Sequence, residues 1–234
     1  MISFIVPAHN EEFWIGRCLE AIDESMRAVE RPHEIIVVDD ASTDTTAAIA
    51  EQHGARVIHV AHRNIAATRN SGAREARGDL FIFVDADTLV NQDVVREAIE
   101  AVARGAAGGG CVPTFEGGIP LWCRVIYPFV VFAMRHVLNQ TGGACLFSTR
   151  AVFEATGGFS EAHFAAEEDV WVKALKKHGR FVIPQATILT SGRSLRSNSL
   201  WAIGRLMLRL TFRGADGFRS RRGLDTWYRP TREK

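Results

Sequence analysis

Four acidic patches stand where packing alone would not place them. Asp85-Ala86-Asp87 closes the apolar run Leu80–Val84, and Asp39-Asp40 closes Ile35–Val38. Glu11-Glu12 follows Ile2–Val6 across a Pro-Ala-His-Asn loop, and Glu167-Glu168-Asp169 opens a helical pattern. Carboxylates standing close together cost electrostatic energy unless a cation or a proton offsets it. Hard oxygen ligands of this kind suit Mg2+ or Mn2+, and such an ion neutralises phosphate charge. The pattern therefore points to a divalent-cation and nucleotide-diphosphate site. Capping is the competing account: Asp87, Asn91 and Asp44 suit helix N-caps, and an acidic first turn suits the helix dipole at Glu167–Asp169.

These groups need a frame that brings them together. The first half alternates short apolar runs with helical patterns. Strands are expected over Ile2–Val6, Glu34–Val38, Arg56–Val60 and Leu80–Val84. Helices are expected from Ile15, over Ala47–His53, over Asn64–Arg77 and over Asp93–Arg104. Buried runs alternating with helices argue an α/β fold, a doubly wound, mostly parallel sheet with helices on both faces. In such sheets ligands bind beyond the carboxyl ends of the strands, where three of the acidic patches fall. Gly105 and Gly108–Gly110 break the pattern, a strand resumes from Cys111, and Leu121–Leu138 reads as an aromatic-rich helix. A Gly-rich turn at Thr141–Gly143 enters another strand, a short helix spans Arg150–Thr156, and Val170–His178 is helical. Phe181–Ile183 is a short strand, and Ser199–Phe212 is an amphipathic helix leading to a basic tail.

With 234 residues, 47% apolar and 24% charged, the chain has the composition of an ordinary globular domain. A net charge of +1 excludes a strongly basic nucleic-acid binder, so no nucleic acid is expected as partner. Cys18, Cys111, Cys123 and Cys145 show no C-x-x-C spacing and read as buried thiols of a cytoplasmic protein. Met1 leads directly into a strand pattern, so no signal peptide is expected. In Ile119–Leu138, Arg124 and Arg135 leave ten uncharged residues between them, short of the ~20 that span a bilayer.

Taken in order, Ile5-Val6-Pro7-Ala8-His9-Asn10-Glu11-Glu12, Val38-Asp39-Asp40-Ala41-Ser42-Thr43-Asp44, Ala67-Thr68-Arg69-Asn70, Asp85-Ala86-Asp87, Gly157-Gly158-Phe159 and Glu168-Asp169 resemble the family 2 glycosyltransferases. These are inverting enzymes of the GT-A fold, and the resemblance covers about residues 1–190. It implies a catalytic domain over 1–190, with a nucleotide-binding half at 1–110 and an acceptor-binding half at 111–190. Residues 191–234 would then be a basic C-terminal helix and tail.

By the same resemblance Asp87 would bind the metal, while Asp85 would contact the ribose or the metal's water shell. Asp40 would read the nucleobase and Asp39 would support the ribose. Pro7, Ala8, His9 and Glu11 would line the nucleotide, and Arg69 would lie near the diphosphate. Asp169 would be the general base, with Gly142, Gly143, Glu168 and Trp171 against the acceptor. Many relatives supply a late His to the metal; here Leu189-Thr190-Ser191-Gly192-Arg193 has none, which leaves Arg193 and Arg196 as diphosphate cations. No Gln-x-x-Arg-Trp signature of processive synthases is present, so transfer of a single sugar is expected.

The implied donor is a UDP- or GDP-linked sugar, and the acceptor a glycan or lipid-linked molecule of the cell envelope. Contact with the inner membrane face would run through the aromatic stretch from Leu121 and the Trp201–Phe212 segment; a packed subdomain with solvated arginines accounts for the same residues. Competing readings are a sugar-nucleotide pyrophosphorylase, disfavoured because Pro7–Glu11 is not a Gly-rich phosphate loop, and an inactive binding module, disfavoured by the intact Asp85, Asp87 and Asp169. A dinucleotide dehydrogenase lacks its G-x-G-x-x-G after the first strand.

Overall fold

The apolar runs form strands because their β-branched and aromatic side chains fill both faces of one sheet. In the computed structural model, which describes residues 1–163 and 165–197, the elements are β1 (Ile2–Ala8), α1 (Ile15–Val29), β2 (His33–Asp40), α2 (Thr46–Gln52), β3 (Arg56–Val60), α3 (Ile65–Glu75), β4 (Leu80–Val84), β5 (Thr88–Leu89) and α4 (Gln92–Ala103). There follow β6 (Ala106–Gly110), β7 (Val112–Glu116), α5 (Leu121–Ala133) with a π-helical continuation (Met134–Leu138), β8 (Cys145–Thr149), α6 (Arg150–Thr156), α7 (Glu167–Leu175), β9 (Arg180–Val182), β10 (Thr187–Ser191) and α8 (Arg193–Ser197).

Seven strands form the main sheet in the order β3-β2-β1-β4-β8-β6-β9. β3, β2, β1 and β4 are mutually parallel; β8 runs antiparallel between β4 and β6; β9 is parallel to β6. Alternating side chains divide between two cores. Phe4, Val6, Val37, Ile82 and Val84 meet α1 and α4 on one face, while Ile5, Ile36, Val38, Phe81 and Phe83 meet α3, α6 and α7 on the other. The fold is thus the α/β arrangement expected, with helices on both faces.

Register sets the edge. Ala8 lies opposite Asp39 and Asp39 opposite His59, so the β1 and β2 ends are level. Ile5 lies opposite Phe83, which puts the residues after β4 on the same edge. β8 begins there, with Cys145 opposite Val84. A second sheet, β5-β10-β7, carries the chain back over this edge.

Two expectations need correction. Gly108–Gly110 does not interrupt the structure but lies within β6. A Cβ on Gly108 would lie 2.3 Å from the Phe147 carbonyl, and one on Gly109 2.0 Å from the Val182 carbonyl. The strand is glycine because its neighbours leave no room for side chains, whatever its weak β-propensity. The region around Leu189, noted above only for lacking a histidine and given no element, is the strand β10. The helix expected over Ser199–Phe212 and the tail beyond it lie outside the described residues.

Candidate active site

The β4 end delivers its two carboxylates to different cations. Asp85 accepts a 2.7 Å hydrogen bond from Arg69 Nη2. Asp87 lies deeper, its side chain 18% exposed, with Arg193 Nη2 at 3.2 Å; the same nitrogen pairs with Glu11. Burial pushes the Asp87 carboxyl up to about 7; Arg193 opposes the shift, and the charges of Asp85 and Glu11 add to it. Glu11 is raised by burial too, again against Arg193, and its Oε2 is buried with no hydrogen-bond partner among the described residues. β10 completes this side: Ser191 N donates to the Asp87 carbonyl at 3.1 Å, and the Thr190 hydroxyl lies 3.5 Å from Asp87 Oδ1.

Excess carboxylate, an unpartnered buried oxygen and a guanidinium shared by two acids together fit a site for a small hard cation. Among the described residues no three metal-ligating side chains group around one point. A phosphate-borne Mg2+ or Mn2+ needs only one or two protein carboxylates.

Arg69 is the residue whose surroundings differ most from expectation. It sits on α3, a helix whose sequence reads as small and polar, yet it is 1% exposed. Nη1 donates to Glu167 at 2.9 Å, and Nη2 donates to Asp85 and to the Gly143 carbonyl at 3.1 Å. As placed, the guanidinium faces two carboxylates rather than an incoming diphosphate. It joins the strand carrying Asp85 to the first residue of α7. Asn70 makes a second joint, accepting from Phe159 N and donating to the Phe159 carbonyl, both at 2.9 Å. This explains Gly157-Gly158-Phe159: a Cβ on Gly158, at φ +75, would lie 2.7 Å from Asn70 Oδ1.

Asp169 follows on the first turn of α7 and accepts a hydrogen bond from Gln140 Nε2. Burial raises its carboxyl, while Gln140 and Lys173 pull the other way. Glu168 is raised by burial and then by the charges of Glu167 and Asp169. Gly143 lies between Arg69 and Glu168, and a Cβ there would sit 3.2 Å from Arg69 Nη2; Gly142 has open space around it.

Trp171 requires correction as an acceptor contact. It is 1% exposed, packs against Phe83, Phe153 and Phe159, and donates from Nε1 to Thr156 Oγ1 at 3.1 Å. One turn beyond the helix start, its side chain points into the core.

Pro7 and Ala8 are buried at the β1 end, and His9 Nδ1 lies 2.8 Å from the Asp40 carbonyl. Asp40, 6% exposed, accepts from Arg63 N, Asn64 N and Thr68 Oγ1 at 2.9–3.3 Å. Asp39 accepts from Ser42 N and lies 3.2 Å from His59 Nδ1. Both carboxylates are thus spent on the loops around the β2 end. Arg196 donates to the Glu116 carbonyl at 2.9 Å, tying α8 to the β7 end. Glu167, Gln140 and Thr190 were missed as partners of Arg69, Asp169 and Asp87. The acidic run around Glu167 was a signal; Gln140 and Thr190 gave none.

The family model for glycosyl transferase family 2 matches residues 3–151. Undecaprenyl-phosphate 4-deoxy-4-formamido-L-arabinose transferase of Pseudomonas paraeruginosa is 33% identical over 112 residues, 45% of this chain and 33% of that protein. The chain spans about a third of the length of the curated relatives it matches. A mannosyltransferase from Pyrobaculum calidifontis, solved with GDP-Man and Mn2+, superposes with TM-score 0.68 at 21% identity, covering 89% of this chain and 60% of that one. Glucosyl-3-phosphoglycerate synthase from Mycobacterium tuberculosis, solved with Mn2+, UDP and glucosyl-3-phosphoglycerate, gives 0.63 at 19% identity over 92% and 80%. The fold is that of the GT-A glycosyltransferases.

Proposed function

The chain belongs to glycosyl transferase family 2, and from that premise we propose that it moves one sugar from a UDP- or GDP-linked donor to an acceptor hydroxyl, with inversion at the anomeric carbon. Residues 1–110 hold the nucleotide and residues 111–190 present the acceptor. The observation that carries this reading is the Asp85–Arg69–Glu167 bridge, which fastens the donor-side strand end to the helix bearing Asp169.

Asp87, with Asp85 and Glu11 beside it, would hold the divalent cation, which would supply neutralisation of the departing diphosphate. Arg193, which lies against Asp87 and Glu11, is the cation that would turn to the diphosphate. Pro7, Ala8 and His9 wall the nucleobase pocket, and Asp39 and Asp40 hold its floor by fixing the loops around the β2 end. Asp169 takes the proton from the acceptor hydroxyl as that oxygen forms its bond to the anomeric carbon. The bond from that carbon to the diphosphate oxygen breaks, and its electron pair leaves with the phosphate. Burial keeps Asp169 more basic than an exposed aspartate, as a general base requires. Arg69 and Gln140 position this machinery without touching the reacting atoms.

The acceptor is a glycan or lipid-linked molecule. The relative from Pseudomonas paraeruginosa, named for undecaprenyl phosphate, supports the lipid-linked class. A screen of UDP- and GDP-sugars for donor hydrolysis, with and without Mn2+, tests the reading. Turnover by wild type, and loss of about 100-fold or more in Asp169→Asn with donor binding retained, are expected. Full activity in Asp169→Asn contradicts the assignment of the base.

A further inference from the structure

α5 and its π-helical continuation form an 18-residue helix of mean hydropathy 1.4, long and apolar enough by composition to cross a membrane. It is nevertheless an exposed surface helix. Only Cys123 in α5 is buried, whereas Leu121 is 76% exposed, Phe129 73% and Phe132 61%. Leu121, Val125, Phe129 and Phe132 recur at three- and four-residue spacing and so share one outward stripe. Val137 and Leu138 extend the exposed apolar surface to the end of the helix.

The helix is fastened along its length. Tyr127 donates to the Pro113 carbonyl, and Arg135 to the carbonyls of Pro184 at 2.7 Å and Gln185 at 3.1 Å. Asn139 donates to the Phe181 carbonyl at 3.2 Å, and Lys176 to the Leu138 carbonyl at 3.1 Å. A crossing helix of ~27 Å would place its ends on opposite sides of a bilayer. Here the middle and the C-terminal end are tied to a single domain, so the helix can only lie flat.

Charge selects the occupant. No Asp or Glu occurs between Glu116 and Glu154. Arg124 is exposed on the helix, Lys173 is exposed on α7 and Lys177 just beyond the α7 end. A second copy pairing through this face about a two-fold axis would bring one acid-free, basic patch against another. Residues 198–234 carry only Asp216, Asp225 and Glu233 as acids among many arginines and bring the same repulsion. An anionic lipid surface complements both the apolar stripe and the basic rim.

We propose that Leu121–Leu138 is an in-plane docking face for an anionic bilayer. Two residues beyond Leu138, Gln140 holds Asp169, so docking sets the candidate base beside the lipid surface. The docking face stands without the transfer chemistry; only its consequence, an acceptor drawn from the bilayer, rests on the proposed function.

The experiment is flotation of the full chain with vesicles of phosphatidylcholine alone and of phosphatidylcholine mixed with phosphatidylglycerol, read without donor or turnover. Wild type is expected to float with the mixed vesicles and much less with the neutral ones. Phe129→Asp lowers the partition coefficient about tenfold or more, and Phe129→Trp binds as wild type. Phe129→Asp alters an exposed position, and an unchanged melting temperature establishes that it folds. No flotation with either vesicle overturns the proposal. So does binding that survives Phe129→Asp, which assigns the contact to another segment such as 198–234. Wild type of dimeric mass that becomes monomeric in Phe129→Asp overturns it too, in favour of a second copy.

Discussion

Two arginines meet the same Asp-x-Asp pair, and they are held in opposite ways. Arg69 comes from the middle of α3, is 1% exposed, and divides its donors between Asp85, Glu167 and a carbonyl. Arg193 comes from the first turn of α8, is 22% exposed, and rests one nitrogen between Asp87 and Glu11. The first is a joint between the two halves of the site. The second is a cation between the carboxylates proposed to hold a metal, on an element that follows the central strand of the small sheet. The difference separates residues that build the site from residues that work in it.

The comparison breaks most sharply at Arg69. Arg69→Ala leaves two buried carboxylates without their cation and should cost about 3–5 kcal/mol in urea unfolding, with Glu167→Gln restoring part of it. Arg193→Ala should cost less in the same assay, because its guanidinium is 22% exposed and Asp87 can shed its charge by taking up a proton. A cost at Arg193 equal to that at Arg69 erases the distinction.

Asp87→Asn separates function from stability. It should abolish cation-dependent donor binding yet stabilise chelator-treated protein by about 1–2 kcal/mol above pH 7. The sign follows from its carboxyl, raised to about 7 chiefly by burial. The folded state holds the proton more tightly than the unfolded chain, so this contribution is present below about pH 4 and is lost as pH rises through about 7. Melting curves of both proteins from pH 4 to 8 should diverge progressively above about pH 4 and stop diverging above about 7; curves parallel throughout contradict the burial of Asp87.

A smaller effect belongs to Gln140. Its hydrogen bond lowers the Asp169 carboxyl, so Gln140→Ala should move the acidic limb of the turnover profile to higher pH without changing melting temperature appreciably. An unmoved limb removes Gln140 from the positioning of Asp169.

The sheet was legible because β1 to β4 are apolar runs with a single reading, and their carboxyl-end acids follow from strand order. β6 was illegible because Gly108–Gly110 answers to its neighbours: a strand gripped between the Phe147 and Val182 carbonyls has no side-chain signal to give. Arg69 was legible as a position but not as a task. The polarity of Thr68, Arg69, Asn70 and Ser71 suggests a solvated face, whereas all four are buried and α3 spends that polarity on loops distant in sequence. Trp171 failed in the opposite direction: the family resemblance set it against the acceptor, while helical rotation turns it into the aromatic core.

The central claim is that Asp87 and its neighbours form a cation-dependent nucleotide-diphosphate site from which Arg193 can be displaced. Its most direct measurement is the melting temperature of wild type and Asp87→Asn with UDP or GDP, with Mn2+, and with both. A large rise is expected in wild type only when nucleotide and Mn2+ are present together, and none in Asp87→Asn. No rise in wild type with either nucleotide plus Mn2+, or an equal rise in Asp87→Asn, would contradict it.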